Sequence, residues 1–368
     1  MERVEKERGD IVLVTLVIAI LGVGIAMLFS ASYSFSARAY QDPLYLVKRQ
    51  LLWAALGGVV AFLVSLTPLE MFRRALPLIL FGTLVASLLP FLPGIGTRVL
   101  GSRRWISLLG VSFQPSEVVK VTLILYLASY FARREEGENL PLNTLIPPFI
   151  VVCVFAAIVL FQNDYSTAIF IVITGLSMLF IARVRALHFV LVTAFTSTLG
   201  FLLLFTREHR VQRLLAYFDL SSYRSGTGYQ IVNAKAALAG GGFWGRGLGR
   251  SLAKLGPLPM SHSDFIYTII AEETGLLGAL FVLILFALLA WRGFQISARA
   301  PDSFTFYAAF GLTAAISLQA LLNMAVAVGM VPTTGVTLPF FSAGGSSLFA
   351  TLVMCGLLVN LSRRSSRV

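Results

Sequence analysis

The chain has 368 residues, of which 57% are hydrophobic and 12% charged, and its formal net charge is +12. A soluble domain carries about twice that charged share. Too few charges exist to clothe a water-facing surface, so a soluble enzyme or binding domain is excluded and most of the surface must face lipid.

The expected fold class is therefore all-α and integral to a membrane, with about ten transmembrane helices, because backbone polar groups in lipid find partners only within helices or closed barrels. Residues 1–10 form a charged start, and residues 11–30 then run without a charge. That run spans a bilayer and exceeds the apolar core of a signal peptide, so it is expected to remain as an anchor. Apolar runs of spanning length fall at about 11–32, 50–67, 75–93, 115–132, 146–161, 166–182, 187–205, 264–291, 303–328 and 345–361. The expected organisation is an N-terminal tail over 1–10, one polytopic domain over 11–361 and a C-terminal tail over 362–368, with a large extracytoplasmic loop, 206–263, between helices 7 and 8.

Orientation follows from Lys and Arg in the short connections. Arg73, Arg74, Arg133, Arg134, Arg183, Arg185, Arg292 and Arg299 join the basic residues of both tails on one side. Only Arg38, Lys48, Arg49, Arg98, Arg103 and Arg104 lie in the opposite short loops. Both termini are therefore expected in the cytoplasm. The loop 206–263 carries Arg207, Arg210, Arg213, Arg224, Lys235, Arg246, Arg250 and Lys254 against Glu208 and Asp219, a basic outer surface that suits an anionic partner or lipid headgroups. No inverted pair of broken spans is apparent, which weighs against an alternating-access transporter.

Four segments carry candidate chemistry. Arg103, Arg104 and Trp105 stand in the connection before Pro115, and Glu117 and Lys120 follow three apart on one helix face. A basic cluster with a tryptophan at one membrane level suits a pyrophosphate headgroup. A lysine about 8 Å from a helix start is also explained by snorkelling to the interface. Asp264 is the one carboxylate between Asp219 and Glu272. It suits either a helix cap or a general base at the lipid–water boundary. Glu272 and Glu273 lie two turns deeper, where an ionised carboxylate needs a partner in the bundle interior. The run Gly240-Gly-Gly-Phe-Trp-Gly-Arg-Gly-Leu-Gly249 reads chiefly as a flexible turn, since it follows no strand as a phosphate loop would. The uncharged stretch from Gly329 to Ser347 suits a re-entrant piece buried in protein.

Cys153 and Cys355 sit inside apolar runs, and His188, His209 and His262 form no ligand motif. No GxxxxGK phosphate loop is present, so no nucleotide is expected.

These motifs occur in a recognisable order. Arg103-Arg-Trp-Ile, Phe113-Gln-Pro-Ser-Glu117 with Lys120, Gly226-Thr-Gly-Tyr-Gln230, His262-Ser-Asp-Phe-Ile266 with Ala271-Glu-Glu, and Pro332-Thr-Thr-Gly-Val-Thr-Leu-Pro339 with Gly344-Gly-Ser-Ser347 together resemble the SEDS family of shape, elongation, division and sporulation proteins. The resemblance runs from about Arg49 to Arg364, and Lys254-Leu-Gly-Pro-Leu-Pro259 places it nearer the division branch than the elongation branch. It implies a glycosyltransferase that polymerises lipid II into peptidoglycan strands at the outer face of the bacterial cytoplasmic membrane. A lipid II flippase and an elongation-type polymerase for cell shape are the alternatives. Asp264 would be the catalytic base, and Arg49, Arg103, Arg104, Trp105, Glu117, Lys120, His262, Ser346 and Ser347 would handle substrate. A divalent cation, Mg or Mn, is implied by the family alone. The implied partners are a class B penicillin-binding protein, which is a transpeptidase, other membrane proteins of the division machinery, and the undecaprenyl-pyrophosphate-linked substrate, with no nucleic acid. Gly275, Gly278, Gly311 and Gly356 offer close approach either to a partner helix or to spans of this chain. Two departures from the family pattern stand out. Asn163 replaces the usual proline before Asp164, which leaves Asp164 out of the expected site, and Ala343 replaces a tyrosine.

Overall fold

The structure, a computed structural model, describes residues 9–99, 102–108, 111–134, 142–219, 227–256, 258 and 260–365. The tails at 1–8 and 366–368, with Gly101, Arg224, Gly226, Pro257 and Pro259 of the quoted motifs, lie outside the described residues. In chain order the helices are α1 (Ile11–Tyr40), α2 (Tyr45–Leu66), α3 (Leu69–Leu88), α4 (Pro115–Ala132), α5 (Leu142–Phe161), α6 (Tyr165–Ile181), α7 (Ala186–Leu204), α8 (Glu208–Phe218), α9 (Thr227–Gly241), α10 (Ile266–Ala298), α11 (Ser303–Ala327) and α12 (Gly345–Ser365). Each of the expected apolar runs overlaps one of these helices. Eight of them are long and apolar enough to cross a membrane. Of the other two, α6 is apolar but 17 residues long, and α4 carries Glu117 and Lys120. The chain is a multi-pass membrane protein whose spans are helical.

Side-chain caps set several helix starts. Asp10 accepts from the Leu13 amide at 3.0 Å, Asp164 from Thr167 at 3.1 Å and Asp302 from Thr305 at 3.1 Å, each satisfying a donor that the first helical turn leaves open. Pro115 opens α4 at a position where the missing N–H costs nothing.

The bundle is built from close helix pairs. Gly57 of α2 meets Leu352 of α12, Gly356 of α12 meets Ala61 of α2, and the Asn360 amide donates to the Val64 and Thr67 carbonyls. These pairs advance together along both helices, so α2 and α12 run parallel. By contrast α1 and α10 are antiparallel: Asp10 pairs with Arg292 at 2.7 Å, and Ser30 donates to Glu273 at 2.6 Å. The pair α4 and α11 is antiparallel too, with Lys120 against Gln319 near one end and Phe131 against Tyr307 near the other. At the periphery, α7 buries none of its residues.

The connections differ from the sequence reading in three ways. The segment before α4 is a three-stranded antiparallel sheet, β1 (Gly96–Val99), β2 (Ser102–Leu108) and β3 (Val111–Phe113). The expected loop 206–263 holds two helices, α8 and α9, and a short 3-10 turn at Ala253–Leu255. The glycine run is no free turn. It docks on α10, which breaks at Gly275 (φ 69°, ψ −167°), so one expected span is interrupted.

The uncharged stretch is irregular and buried, as a re-entrant piece requires. Asn323 donates to the Val336 carbonyl at 2.8 Å, Gln319 to Thr337 at 3.0 Å, and the Ser342 hydroxyl accepts from the Leu338 amide at 2.8 Å. Three of the glycines offered to a partner helix are taken up within the chain: Gly275 lies against Phe243 and Gly245, Gly311 against Ile124 and Met178, and Gly356 against Ala61, while Gly278 meets only Thr274 of its own helix.

A Cβ at Gly356 would overlap the Ala61 carbonyl, whereas one at Gly58 meets nothing within 4 Å. Gly356→Ala should therefore destabilise the bundle by about 1–3 kcal/mol through overpacking. Gly58→Ala should stabilise it by about 0.4–1 kcal/mol by restricting the unfolded chain. Thermal unfolding of the two variants in the same detergent checks the opposite signs.

Candidate active site

At the end of the bundle that carries the sheet and α8, a cavity of about 810 Å³ opens. Its walls come from the start of α2 (Arg49, Gln50), from β2 (Ser102, Arg104, Trp105), the start of α6 (Asp164, Tyr165), α8 (Arg210, Arg213), the turn before α10 (Met260, Ser263, Asp264) and the stretches 331–335 and 343–345. A second cavity of about 110 Å³ continues inward from it, sharing Arg104, Trp105, Ser263 and Asp264, and reaching Glu117, Lys120, Gln319, Thr337 and Ser347.

Asp264 stands where the two cavities meet. It does not cap α10, whose N-cap is Phe265 with no side-chain bond. Instead its Oδ1 accepts from the Ser263 hydroxyl at 2.8 Å. The backbone around it is fastened from three sides: Ser342 Oγ donates to the Ser263 carbonyl at 2.6 Å, the Ala343 amide to the His262 carbonyl at 3.0 Å, and Asn323 to the Asp264 carbonyl at 3.0 Å. Met260, at φ 54°, makes the tight turn, and its carbonyl accepts from the Ser263 and Asp264 amides. Burial pushes the Asp264 carboxyl above the usual carboxylate range, while the Ser263 hydroxyl and the charges of Arg104 and Arg213 pull against that rise.

The charges alternate across the cavity. Arg104 Nη1 pairs with Asp164 Oδ2 at 3.0 Å, and Gln114 Nε2 donates to the same oxygen at 3.0 Å. Arg213 reaches the Thr333 carbonyl at 3.5 Å, and burial lowers its pKa despite the nearby Asp264. Arg210 lies over the Tyr165 ring, 4.8 Å from its centroid, and donates to the Leu203 carbonyl. With Arg49, four guanidiniums face two carboxylates, which leaves room for an anionic ligand of about two charges. Lys120 is 3% exposed, which rules out snorkelling. It pairs with Glu117 at 2.7 Å, donates to Gln319 at 2.8 Å and lies 5.4 Å from the centre of the Phe170 ring, forming the floor of the inner cavity.

The structure brings together Arg49, Arg104, Trp105, Glu117, Lys120, Ser347 and Asp264 of the expected site residues. Three others stand apart. Arg103 is exposed and absent from the cavity walls. His262 is buried and stacks on Phe35 of α1, with ring centroids 4.3 Å apart, and burial lowers its pKa to about 4. Ser346 accepts from the Gln114 amide at 3.0 Å, which ties α12 to the start of α4. Conversely, Asp164, Arg210, Arg213 and Gln319 belong to the walls without standing among the expected site residues, although Arg210 and Arg213 count toward the expected basic outer surface. Asp164 was set aside for the residue before it, although a carboxylate at the very start of an apolar run is itself a signal. Arg210 and Arg213 sit three apart, a helical spacing hidden inside a presumed loop.

A resident divalent cation finds no ligand set here. Among the described residues no three His, Cys, Asp or Glu side chains group for one. Asp164 is already engaged by Arg104, Gln114 and the Thr167 amide.

Comparison with known proteins agrees with the motif order. The chain matches the cell cycle protein family FtsW/RodA/SpoVE over residues 11–367. It is 36% identical over 366 residues to the probable peptidoglycan glycosyltransferase FtsW of Geobacter sp., covering 99% of each chain. It is 33% identical over 362 residues to the stage V sporulation protein E of Bacillus subtilis, covering 98% of this chain and 99% of that one. Its fold is similar to a chain of a peptidoglycan synthase complex that coordinates polymerization and crosslinking, with a TM-score of 0.80, 26% identity, and 98% and 99% of the two chains covered. It is also similar to the rod shape determining protein RodA of Thermus thermophilus, with a TM-score of 0.69, 26% identity, and 96% and 97% covered. The chain belongs to the FtsW/RodA/SpoVE family of cell cycle proteins.

Proposed function

We propose that the chain is a peptidoglycan glycosyltransferase that polymerises lipid II at the outer face of the cytoplasmic membrane, in cell division. The observation that carries this reading is the Asp264 carboxylate, held by a fastened backbone on the wall of a cationic cavity. The names of the relatives point to the same reaction and to the division branch.

In that reaction a sugar 4-hydroxyl of one lipid-linked substrate attacks the anomeric carbon of the growing strand. Asp264 accepts the hydroxyl proton as the new C–O bond forms, and the bond to the strand's pyrophosphate breaks. The charge that develops on the leaving group falls among Arg49, Arg104, Arg210 and Arg213, guanidiniums suited to phosphate oxygens. The Lys120–Glu117 pair, with Gln319 and Ser347, lines the narrower inner cavity beside the same base. Below Lys120, Gly311 packs against Ile124 and Met178, an apolar seal that gives a flippase route no support. The basic face and the placement of the cavity at the Asp164 and Asp264 end of the bundle fit an outer site with both termini inside. A class B penicillin-binding protein would cross-link the product: the Ser-x-x-Lys run of this chain, Ser251-Leu-Ala-Lys254, has its hydroxyl on Glu272 and its ammonium on Glu273 and lines neither cavity, so it does not serve as an acylation site.

Loss of the base should be the sharpest defect. Asp264→Asn should lower the rate of glycan formation from labelled lipid II by roughly 10²–10⁴-fold. Wild-type activity should rise with pH through the raised Asp264 pKa, because only the carboxylate accepts a proton, and this acid limb should lie above the ordinary carboxylate range. Near-native turnover by a folded Asp264→Asn protein would end the assignment.

Arg213 tests the electrostatics separately. Its charge lowers the Asp264 pKa, so Arg213→Ala should move the acid limb to higher pH and weaken lipid II binding. The pH profile of kcat and a binding measurement read the two effects.

For the partner, co-expression with the cognate class B penicillin-binding protein should yield a co-purifying complex with faster polymerisation. A chain that is fully active alone and gains nothing from the complex would contradict that pairing.

A further inference from the structure

We propose that Glu272, Glu273 and Lys254 are positioning residues for Asp264: with the glycine loop 242–247 they clamp the far end of the short helical segment, 266–274, that follows the base. The inference rests on the polymerase reading of the Asp264 site and adds to it a second, remote anchor.

The break at Gly275 turns the start of α10 into a free-standing piece two turns long. Carbonyls at the end of such a piece lack helical partners. The glycine loop supplies them. The Arg246 amide donates to the Glu272 carbonyl at 3.0 Å and the Gly247 amide to the Glu273 carbonyl at 2.9 Å. On the other side of the break, Leu276 donates to the Gly242 carbonyl at 3.0 Å and Leu277 to Phe243 at 3.5 Å. The loop thus threads through the helix and completes it. Only glycine permits the approach, because a Cβ at Gly241 would overlap the Ala271 carbonyl, and one at Gly245 the Glu273 carbonyl.

Side chains lock the same junction. Glu272 is 2% exposed and accepts from the Ser251 hydroxyl and from the Leu252 and Ala253 amides at 3.1 and 3.2 Å. Glu273 is 1% exposed and takes Lys254 Nζ at 2.6 Å and the Ser30 hydroxyl at 2.6 Å. Lys254 also donates to the Ser30 carbonyl at 3.1 Å, which binds the junction to α1. None of these three side chains lines either cavity, so they act on the reaction only through the segment they hold. At the opposite end the Asp264 carbonyl is held by Asn323. The base is therefore suspended between two fixed ends, and loosening the far one lets it drift from its productive position.

The test uses the full chain in detergent, with Glu273→Gln, Lys254→Met and Gly245→Ala as loosening variants and Gly58→Ala as the control. A swapped pair, Lys254→Glu with Glu273→Lys, tests mutual dependence. Steady-state polymerisation of labelled lipid II gives kcat and KM, and hydrogen–deuterium exchange follows residues 260–270 against α2 and α12. A misplaced catalytic group costs about 10²-fold in rate. The loosening variants should lose kcat on that scale with KM within about twofold, should exchange faster at 260–270 and should leave α2 and α12 protected. The swapped pair should recover part of the loss. Unchanged kcat, a defect confined to KM, or faster exchange spread evenly over α2 and α12 would overturn the proposal. If the wild-type chain fails to polymerise lipid II at all, the functional reading falls, while exchange at 260–270 still decides the clamp.

Discussion

A backbone amide or carbonyl without a partner is costly at membrane depth, and the architecture of this protein follows from that constraint. Helices satisfy it internally. The site, however, draws part of its walls from segments that are not helical: the sheet before α4, the turn 260–265 and the stretch 331–344. The sheet pairs its own backbone, while the turn and the stretch 331–344 take partners from side chains. Gln319 and Asn323, four apart on α11, serve Thr337, Val336 and Asp264, while Ser342 serves Leu338 and Ser263. Gln50 of α2 donates to the Ser342 carbonyl at 3.0 Å. Polar residues on otherwise apolar helices are thus the scaffold of the irregular segments, and the irregular segments are part of the walls of the cavity.

The same logic governs charge. Glu117 with Lys120, Asp164 with Arg104, and Glu273 with Lys254 are close pairs among polar neighbours, as buried charges require. Asp264 differs, because its carboxylate oxygen Oδ1 takes a neutral hydroxyl and, among the described residues, no guanidinium pairs with it. A carboxylate raised in pKa by burial, with cations near enough to temper the rise, suits the proposed role of proton acceptor for a sugar hydroxyl. Arg49, Arg104, Arg210 and Arg213 meanwhile leave the cavity cationic enough for a pyrophosphate.

Much of this was legible in the sequence. The apolar runs marked the long helices because hydropathy over a span's length leaves little freedom, and the motif order marked the family. Asp264, Arg104, Glu117 and Lys120 stood out as charges in apolar surroundings. What could not be read were relations between distant segments. Nothing local says that the glycine run threads α10 at Gly275, since the signal lies in two segments that meet only when folded. The family resemblance implies a substrate role for His262, yet the turn at Met260 sends it away from the cavity, onto Phe35. Asp164 was judged by its neighbour Asn163 and missed, because its partner Arg104 lies 60 positions earlier.

The central claim is that one cavity brings a sugar hydroxyl to Asp264 while its guanidiniums hold the pyrophosphate. An experimental structure of the Asp264→Asn protein with lipid II bound tests it most directly. The account predicts an acceptor 4-hydroxyl within about 2.6–3.2 Å of the substituted side chain and pyrophosphate oxygens against Arg104 and Arg213. A pyrophosphate seated away from these arginines, or a hydroxyl directed at another residue, would contradict it.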